Sequence, residues 1–468
     1  MAVAFFAPMI TPYDIQWPKM CLIIALIVCV LHIFIQQTSD YKGMWYKPSN
    51  IFLLSYIIVS FQYVIDLIIG FKGYGDFYMP HTVNRVVSIC TLGLISFALG
   101  MIVSKNNNIS SKFLSNRKID KRKYSISFLV FLQLFFFIFW LITIDINFLL
   151  SGASYFVDVS GTAQANFESL LYACTIAILT CIVLNLKDEE SVSIKVFLRS
   201  SSWISWAVIS LYCILRLISG DRGPCIYTLL AVFFCYIICS KKSISIGKIL
   251  LAIIAVSFVL NIVGLARTRS TDQSFLERLI TSYTDFSESS EARFSEKTIL
   301  PLTEELATSS RCNQIAVDLI DNGKENYHYG MYFVYQTLQC IPFVSSFLYN
   351  TLKIPVTDLS ANILMTDVYF GRHDLSQIGT TITADPYLDL GIGGVLIMLF
   401  IVGFVYKKID YGICIKTPDN WFLIIIILLL ASMAIYIPRA TFISQFKQVI
   451  PISVLFLLNK GIRKKEYE

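Results

Sequence analysis

The chain has 468 residues, of which 56% are hydrophobic and only 15% charged, against about 25% charged in soluble domains. Its mean hydropathy is +0.65, which argues against a string of soluble domains. The net charge of +6 does not point to nucleic acid, because cations of membrane proteins concentrate in cytoplasmic loops.

A spanning helix needs ~20 mostly apolar residues. Runs of that kind lie at 18–36, 50–71, 84–103, 124–146, 167–186, 200–218, 223–240, 247–265, 386–406, 420–437 and 441–459. They predict an all-α polytopic membrane protein with about eleven spans. The segment MYFVYQTLQCIPFVSSFLY (331–349) is a further candidate. Its polar residues and Pro342 fit an interfacial or re-entrant piece better. The opening stretch MAVAFFAPMITPYDIQW lacks a basic n-region, so no cleavable signal peptide is expected and the first span is the insertion signal.

The loops orient the chain by the positive-inside rule. SKNNNISSKFLSNRKIDKRK (104–123) carries seven Lys/Arg against one Asp and reads as cytoplasmic. The next loop, 145–166, has no Lys or Arg and reads as external. Alternation then puts 37–48, 241–248, 406–416 and the tail 459–468 inside, so every strongly basic loop shares one side and the N-terminus lies outside. The chain divides into a membrane part at 1–265 (spans one to eight), a long loop region at 266–385, and a second membrane part at 386–468. The long loop is expected to be a small, mostly helical cap, because a structureless loop of that length is unusual. Within it SSRCNQIAVDLIDNG has helical apolar spacing at Ile315, Leu319 and Ile320, with Ser309 or Ser310 as cap.

Three external stretches carry arginine at a membrane boundary, against the expected bias. They are RLISGDRGP (216–224), the ARTR that follows span eight, and YIPRATF (436–442). Arginine is a permanently charged, planar fork of donors suited to phosphate and carboxylate, and boundary arginines mark functional sites by default. Blander readings stand beside this. Arg216 equally fits snorkelling from a helix end. Arg222 also fits pairing with Asp221, Arg267 and Arg269 fit a headgroup-contacting pair, and Arg311 fits a solvated helix charge. Arg439, alone in a short turn after Pro438, has little structural purpose. His373 and Asp385 precede span nine; either could take a proton from a sugar hydroxyl, while Asp385 equally fits a helix N-cap.

Most of the 12 cysteines sit in apolar runs, where Cys acts as a small hydrophobe, and no spacing suggests zinc. Cys312 and Cys340 share a long polar region, but nothing supports a disulfide between them. No P-loop, dinucleotide fingerprint, HExxH or GxSxG occurs, so nucleotide-driven chemistry is not indicated.

The order of these features resembles the Wzy-type O-antigen polymerases. The matching stretches are SGDRGP (219–224), ARTR before a long loop, GTTITADPYLDLGIGGVLIMLFIVGFVYKKID (379–410) and IPRATF (437–442). They cover roughly residues 210–460, and Asp385 stands where many relatives carry Glu. The resemblance implies a GT-C-like, metal-independent membrane glycosyltransferase without a cofactor. It would join undecaprenyl-pyrophosphate-linked oligosaccharide repeat units on the periplasmic face of the bacterial inner membrane. Arg222, Arg267 and Arg439 would hold the pyrophosphate, with Asp385 or His373 as base. Arg216, Arg269 and Arg311 would be secondary pyrophosphate or glycan contacts. A chain-length regulator would be a further partner. The rival readings are a flippase for lipid-linked oligosaccharide and an O-antigen ligase. Against the flippase stand the lack of matching halves and spans read as nearly free of charge apart from Asp66, Arg85 and Lys447.

Overall fold

A computed structural model describes residues 16–37, 46–70, 79–104, 124–144, 163–187, 189, 192–219, 221–240, 247, 303–342, 344–371, 378–414 and 417–465. Among the described residues every regular element is a helix. In chain order these are α1 (Gln16–Gln37), α2 (Pro48–Ile69), a 3-10 turn (Pro80–Thr82), α3 (Val83–Val103), α4 (Ser127–Thr143), α5 (Ala163–Leu186), α6 (Ile194–Arg199), α7 (Trp203–Ile218) and α8 (Arg222–Ser240). Short helices follow: α9 (Glu304–Ala307), α10 (Ser310–Asp321), α11 (Met331–Leu338), α12 (Val344–Asn350), α13 (Val356–Leu359) and α14 (Ala361–Phe370). Then come α15 (Ala384–Cys414), α16 (Trp421–Ser432), two 3-10 turns (Ile437–Arg439 and Ile443–Gln448) and α17 (Val449–Lys465).

Six helices are long and apolar enough to cross a membrane, namely α1, α2, α3 with its preceding turn, α5, α8 and α15. The shorter apolar helices α4, α7 and α16 coincide with three more expected spans. The expected span 247–265 lies outside the described residues. The run 441–459 is not one continuous helix, because the turn Ile443–Gln448 precedes α17. Residues 331–349 fold as α11 and α12 on either side of a turn at Pro342, and each is far shorter than the ~20 residues a crossing needs. The described part of the long loop region is helical, as its length and patterning predict.

The central contact is α3 against α15. Two glycines permit it: a Cβ at Gly100 would collide with the Phe400 carbonyl oxygen, and one at Gly403 with that of Phe97. Small residues let membrane helices bring their backbones together. Beside this crossing, Ser96 Oγ donates to the Leu396 carbonyl at 2.6 Å, and Tyr56 Oη to that of Cys90 at 2.9 Å. A second apolar cluster joins α4, α5, α7 and α8 through Phe137, Trp140, Leu171, Tyr212 and Cys225.

Charge within the helices is more extensive than the sequence reading allowed. Besides Asp66 and Arg85, buried charges include Arg216 in α7 and Asp389 and Asp410 in α15, and Glu168 of α5 meets Arg216. Low charge in the spans therefore does not argue against a transporter.

The long helix α15 is broken near its start. Leu390 (φ −135°, ψ 16°) and Gly391 (φ 62°, ψ −147°) leave helical geometry. Only glycine takes such a φ without cost, and a Cβ at Gly391 would also stand 3.1 Å from the Tyr327 ring. The break frees backbone carbonyls, and the loop before α11 takes them. His328 N–H donates to Leu388 O at 3.1 Å, and Tyr329 N–H to Asp389 O at 2.8 Å.

The helices of the loop region are fastened to the long helices by charge. Arg85 Nε lies 3.2 Å from Asp321 Oδ2, and Tyr387 Oη donates to Asp321 Oδ1 at 2.6 Å. This joins α3, α10 and α15. Nearby, Asp318 accepts from His81 at 2.9 Å and Lys324 at 2.6 Å. Ser309 holds the N-cap position of α10, but its side chain makes no capping bond. Cys312 and Cys340 are both free thiols.

Candidate active site

The threonine-rich approach to α15 builds the site. Each threonine in TTIT (380–383) is buried and spent on a different neighbour. Thr381 Oγ1 accepts the Ala384 N–H at 2.9 Å and so caps α15, while donating to Asn313 Oδ1 of α10. Thr383 Oγ1 lies 3.4 Å from Tyr56 Oη of α2. Thr380 Oγ1 donates to Asp385 Oδ1.

Asp385 is therefore not the cap of α15, because Thr381 performs that task. Its carboxylate is 3% exposed and is held by three side-chain donors from three parts of the chain. These are Thr380, Thr441 Oγ1 at 2.5 Å and Gln336 Nε2 of α11 at 3.3 Å. A carboxylate offers about four lone-pair sites, so one direction, on Oδ1, is not used by these bonds.

Thr441 follows the arginine turn by two residues, so its bond to Asp385 fastens that turn. The Ile382 N–H to Pro438 O bond at 3.2 Å adds a backbone tie. The Arg439 guanidinium lies 5.9 Å from the Tyr436 ring centroid. Arg311 enters from the first turn of α10. Cys312, beside it, senses all three charged groups. Burial pushes its thiol up to about 12, Arg311 and Arg439 pull it down, and Asp385 pushes it up. Tyr332 of α11 is likewise held above the ordinary phenol range, by burial first and then by Asp385. Asp385, Arg311 and Arg439, from α15, α10 and the turn after α16, thus all act on Cys312.

The companion carboxylate Asp389 has a different task. Its oxygens accept the backbone N–H groups of Gly330 at 2.9 Å, Tyr332 at 3.2 Å and Phe333 at 3.2 Å. These are orphan donors at the N-terminus of α11. Asp389 therefore holds the helix that presents Gln336 to Asp385.

The other arginine stretch is built around α5. Glu168 binds Arg216 through both oxygens, with Nε at 2.6 Å from Oε1 and Nη2 on Oε2. Tyr212 Oη adds a bond to Oε1 at 2.5 Å. The guanidinium also lies 5.3 Å from the Trp140 ring centroid and 3.6 Å from Asp221 Oδ2. The Arg216 side chain thus turns inward to carboxylates and does not snorkel. Asp221, one partner the sequence offers Arg222, lies within reach of Arg216. Arg222 is the first residue of α8 and half-buried. Pro224 sits in the first turn of the same helix, where a missing N–H is tolerated. One residue past Glu168, Ser169 Oγ accepts from Gln448 at 2.9 Å, so the start of α5 touches the segments that carry both arginine turns.

The O-antigen polysaccharide polymerase Wzy family model matches residues 2–459. The chain belongs to the Wzy family. No curated protein and no solved structure matches it.

Within this Wzy chain the sequence-derived candidates divide into three groups. Asp385 is tied through Thr441 to the turn that carries Arg439, and these two and Arg311 lie in electrostatic reach of Cys312. Arg216 and Arg222 sit at the facing ends of α7 and α8. Arg267, Arg269 and His373 lie outside the described residues. Sequence reasoning missed Thr380, Thr441, Gln336, Asp389 and Glu168. The only available signals were the unusual run of threonines before Asp385 and a lone glutamate near the start of an apolar run.

Proposed function

We propose that this Wzy-family polymerase extends undecaprenyl-pyrophosphate-linked oligosaccharide on the periplasmic face of the inner membrane. The growing lipid-linked chain is the donor and one lipid-linked repeat unit is the acceptor. An acceptor hydroxyl oxygen attacks the donor's anomeric carbon and forms the new C–O bond. The bond from that carbon to the pyrophosphate oxygen breaks, and the lipid pyrophosphate leaves with the electron pair. The hydroxyl proton passes to Asp385 or His373.

In this reading Arg439 and Arg222, with Arg267, carry the pyrophosphate. Arg311, Arg216 and Arg269 are secondary contacts, although Arg216 spends its fork on Glu168. Donors aimed at a departing phosphate oxygen stabilise charge that develops only in the transition state. The arginines supply that charge, so the reaction as proposed is metal-independent. A polysaccharide chain-length regulator is proposed as the partner that sets product length.

The observation that carries this reading is the clip between Asp385 and the Arg439 turn, in a chain of this family. A proton acceptor and a phosphate-binding fork held on one rigid unit suit glycosyl transfer from a pyrophosphate. The test is complementation of a null strain with Arg439→Ala and Arg222→Ala, each checked for membrane level. The expected gel shows lipid A carrying single repeat units and no long-chain ladder. A normal ladder in both variants overturns the site. Loss of the single-repeat band as well, in the null strain, points to a flippase or ligase instead.

A further inference from the structure

Far from Asp385 lies a cavity that the polymerisation chemistry does not use. It has a volume of about 140 Å³ and lies between α1 and α3 at the C-terminal ends of both, with Lys407 of α15 at its edge. From the break at Gly391 to Lys407 the helix rises about 24 Å at 1.5 Å per residue, most of a ~30 Å hydrocarbon core. The cavity therefore belongs to the opposite end of the bundle from Asp385.

The lining is nearly all aliphatic: Val28 and Leu31 from α1, and Leu99 and Ile102 from α3, with His32 and Lys407 as the polar members. Leu31 (52% exposed), Leu99 (40%) and Ile102 (55%) show that it opens sideways, on the outer surface of the bundle. A cavity of this size holds about six carbons, as a benzene-binding cavity of ~150 Å³ does. An apolar slot open to the side suits one segment of a hydrocarbon chain.

The charge beside the slot is positive. Lys407 has Lys408 in electrostatic reach, and Lys47 and Lys407 both act on His32. Among the described residues the carboxylate Asp410 acts on Lys47 and Lys407. It is 1% exposed and is already bonded to Ser49 Oγ at 2.5 Å and Ser49 N–H at 3.2 Å. Lys408 lies over the Phe404 ring at 5.7 Å, and Lys407 is the lysine that lines the cavity.

We propose that this cavity is a binding site for an anionic phospholipid, with an acyl segment between α1 and α3 and the headgroup phosphate on Lys407. Charge complementarity selects the occupant: a zwitterionic lipid fills the slot equally well but gains less from the lysines. The site is independent of the glycosyl-transfer reading, since no residue of it touches the Asp385 cluster.

Native mass spectrometry of the purified full chain tests it. The protein is equilibrated in mixed micelles of phosphatidylglycerol and phosphatidylethanolamine with matched acyl chains. The wild type should retain phosphatidylglycerol about fivefold over phosphatidylethanolamine, the ratio that ~1 kcal/mol per lysine gives. Lys407→Gln should bring the ratio to about one. Ala98→Phe, which fills the cavity, should lower retention of both lipids, with Leu31→Trp as the substitute where Ala98→Phe is not monodisperse. Equal retention of both lipids by the wild type overturns the proposal, as does unchanged preference in Lys407→Gln. Displacement by soluble glycerol phosphate also overturns it, since that outcome needs no acyl slot.

Discussion

Thr441 Oγ1 donates to Asp385 Oδ2 at 2.5 Å, and this bond locks the arginine turn after α16 to the first turn of α15. The hydroxyl is the only polar atom of a threonine side chain, so its removal has a sharp consequence. A hydrogen bond to a charged group is worth about 1.5–3 kcal/mol. Thr441→Val should lower polymerisation roughly tenfold to a hundredfold in an in vitro assay with lipid-linked repeat units, while membrane level stays normal. Thr441→Ser should restore most of it. Equal activity of Val and Ser variants would show that the clip does not position Arg439.

Asp389 makes a different prediction, because its bonds go to the backbone. Three N–H groups at the start of α11 depend on it, and loss of a side-chain cap costs about 0.5–2 kcal/mol. Asp389→Ala should speed hydrogen exchange across Gly330–Phe333. Polymerisation should fall with it, because α11 carries Gln336 to Asp385. Asp389→Asn keeps one acceptor oxygen and should show a smaller change in both. Fast exchange with unchanged polymerisation would separate α11 from the site.

Much of the architecture was legible because the bilayer imposes it. Nine expected spans coincide with described apolar helices, since a helix that crosses the hydrocarbon core must stay apolar over ~20 residues. Asp385 and Arg439 were legible for a related reason: a charge at the mouth of an apolar run needs a partner or a task. The bond from Thr441, two residues past Arg439, to Asp385 was not legible, because residues 385 and 441 meet only after α15 and α16 have packed. The partner of Arg216 was hidden in the same way. Glu168 lies on another helix, and one sequence does not say which helices touch. Gly391 had a visible signal in DLGIGG, yet the break it permits depends on Tyr327 and on a loop that takes the freed carbonyls. The charge inside the helices was undercounted because Glu168 and Asp389 look like boundary residues until the helices are placed.

Glu168 and Arg216 form a largely buried pair between α5 and α7, so single substitutions should cost more than the pair is worth. Leaving one buried charge without its partner costs about 3–5 kcal/mol. Glu168→Gln keeps the shape and loses the charge, and should lower the detergent melting temperature sharply. The exchange Glu168→Arg with Arg216→Glu should recover part of that loss. If Arg216 also supports Arg222 through Asp221, the exchanged protein regains stability faster than it regains polymerisation. A double variant no more stable than either single one would show that the ion pair does not hold the helices.

The clamp at Asp318 predicts how α10 responds to acid. Asp318 sits outside the spanning helices. Burial alone would raise its carboxyl, but hydrogen bonds from Lys324 and His81 outweigh that and hold it below the ordinary value of 3.8. The folded state therefore favours the ionised form. Its contribution is fully present above about pH 3.8 and disappears as the pH falls through the lower folded value. Asp318→Asn should thus melt below the wild type at pH 6, and the gap should close as the pH drops beneath 3.8. Lys324 is more than half exposed, so salt should weaken the effect. A gap that stays constant from pH 6 to pH 3 would mean that the carboxylate charge does not fasten α10 to the turn carrying His81.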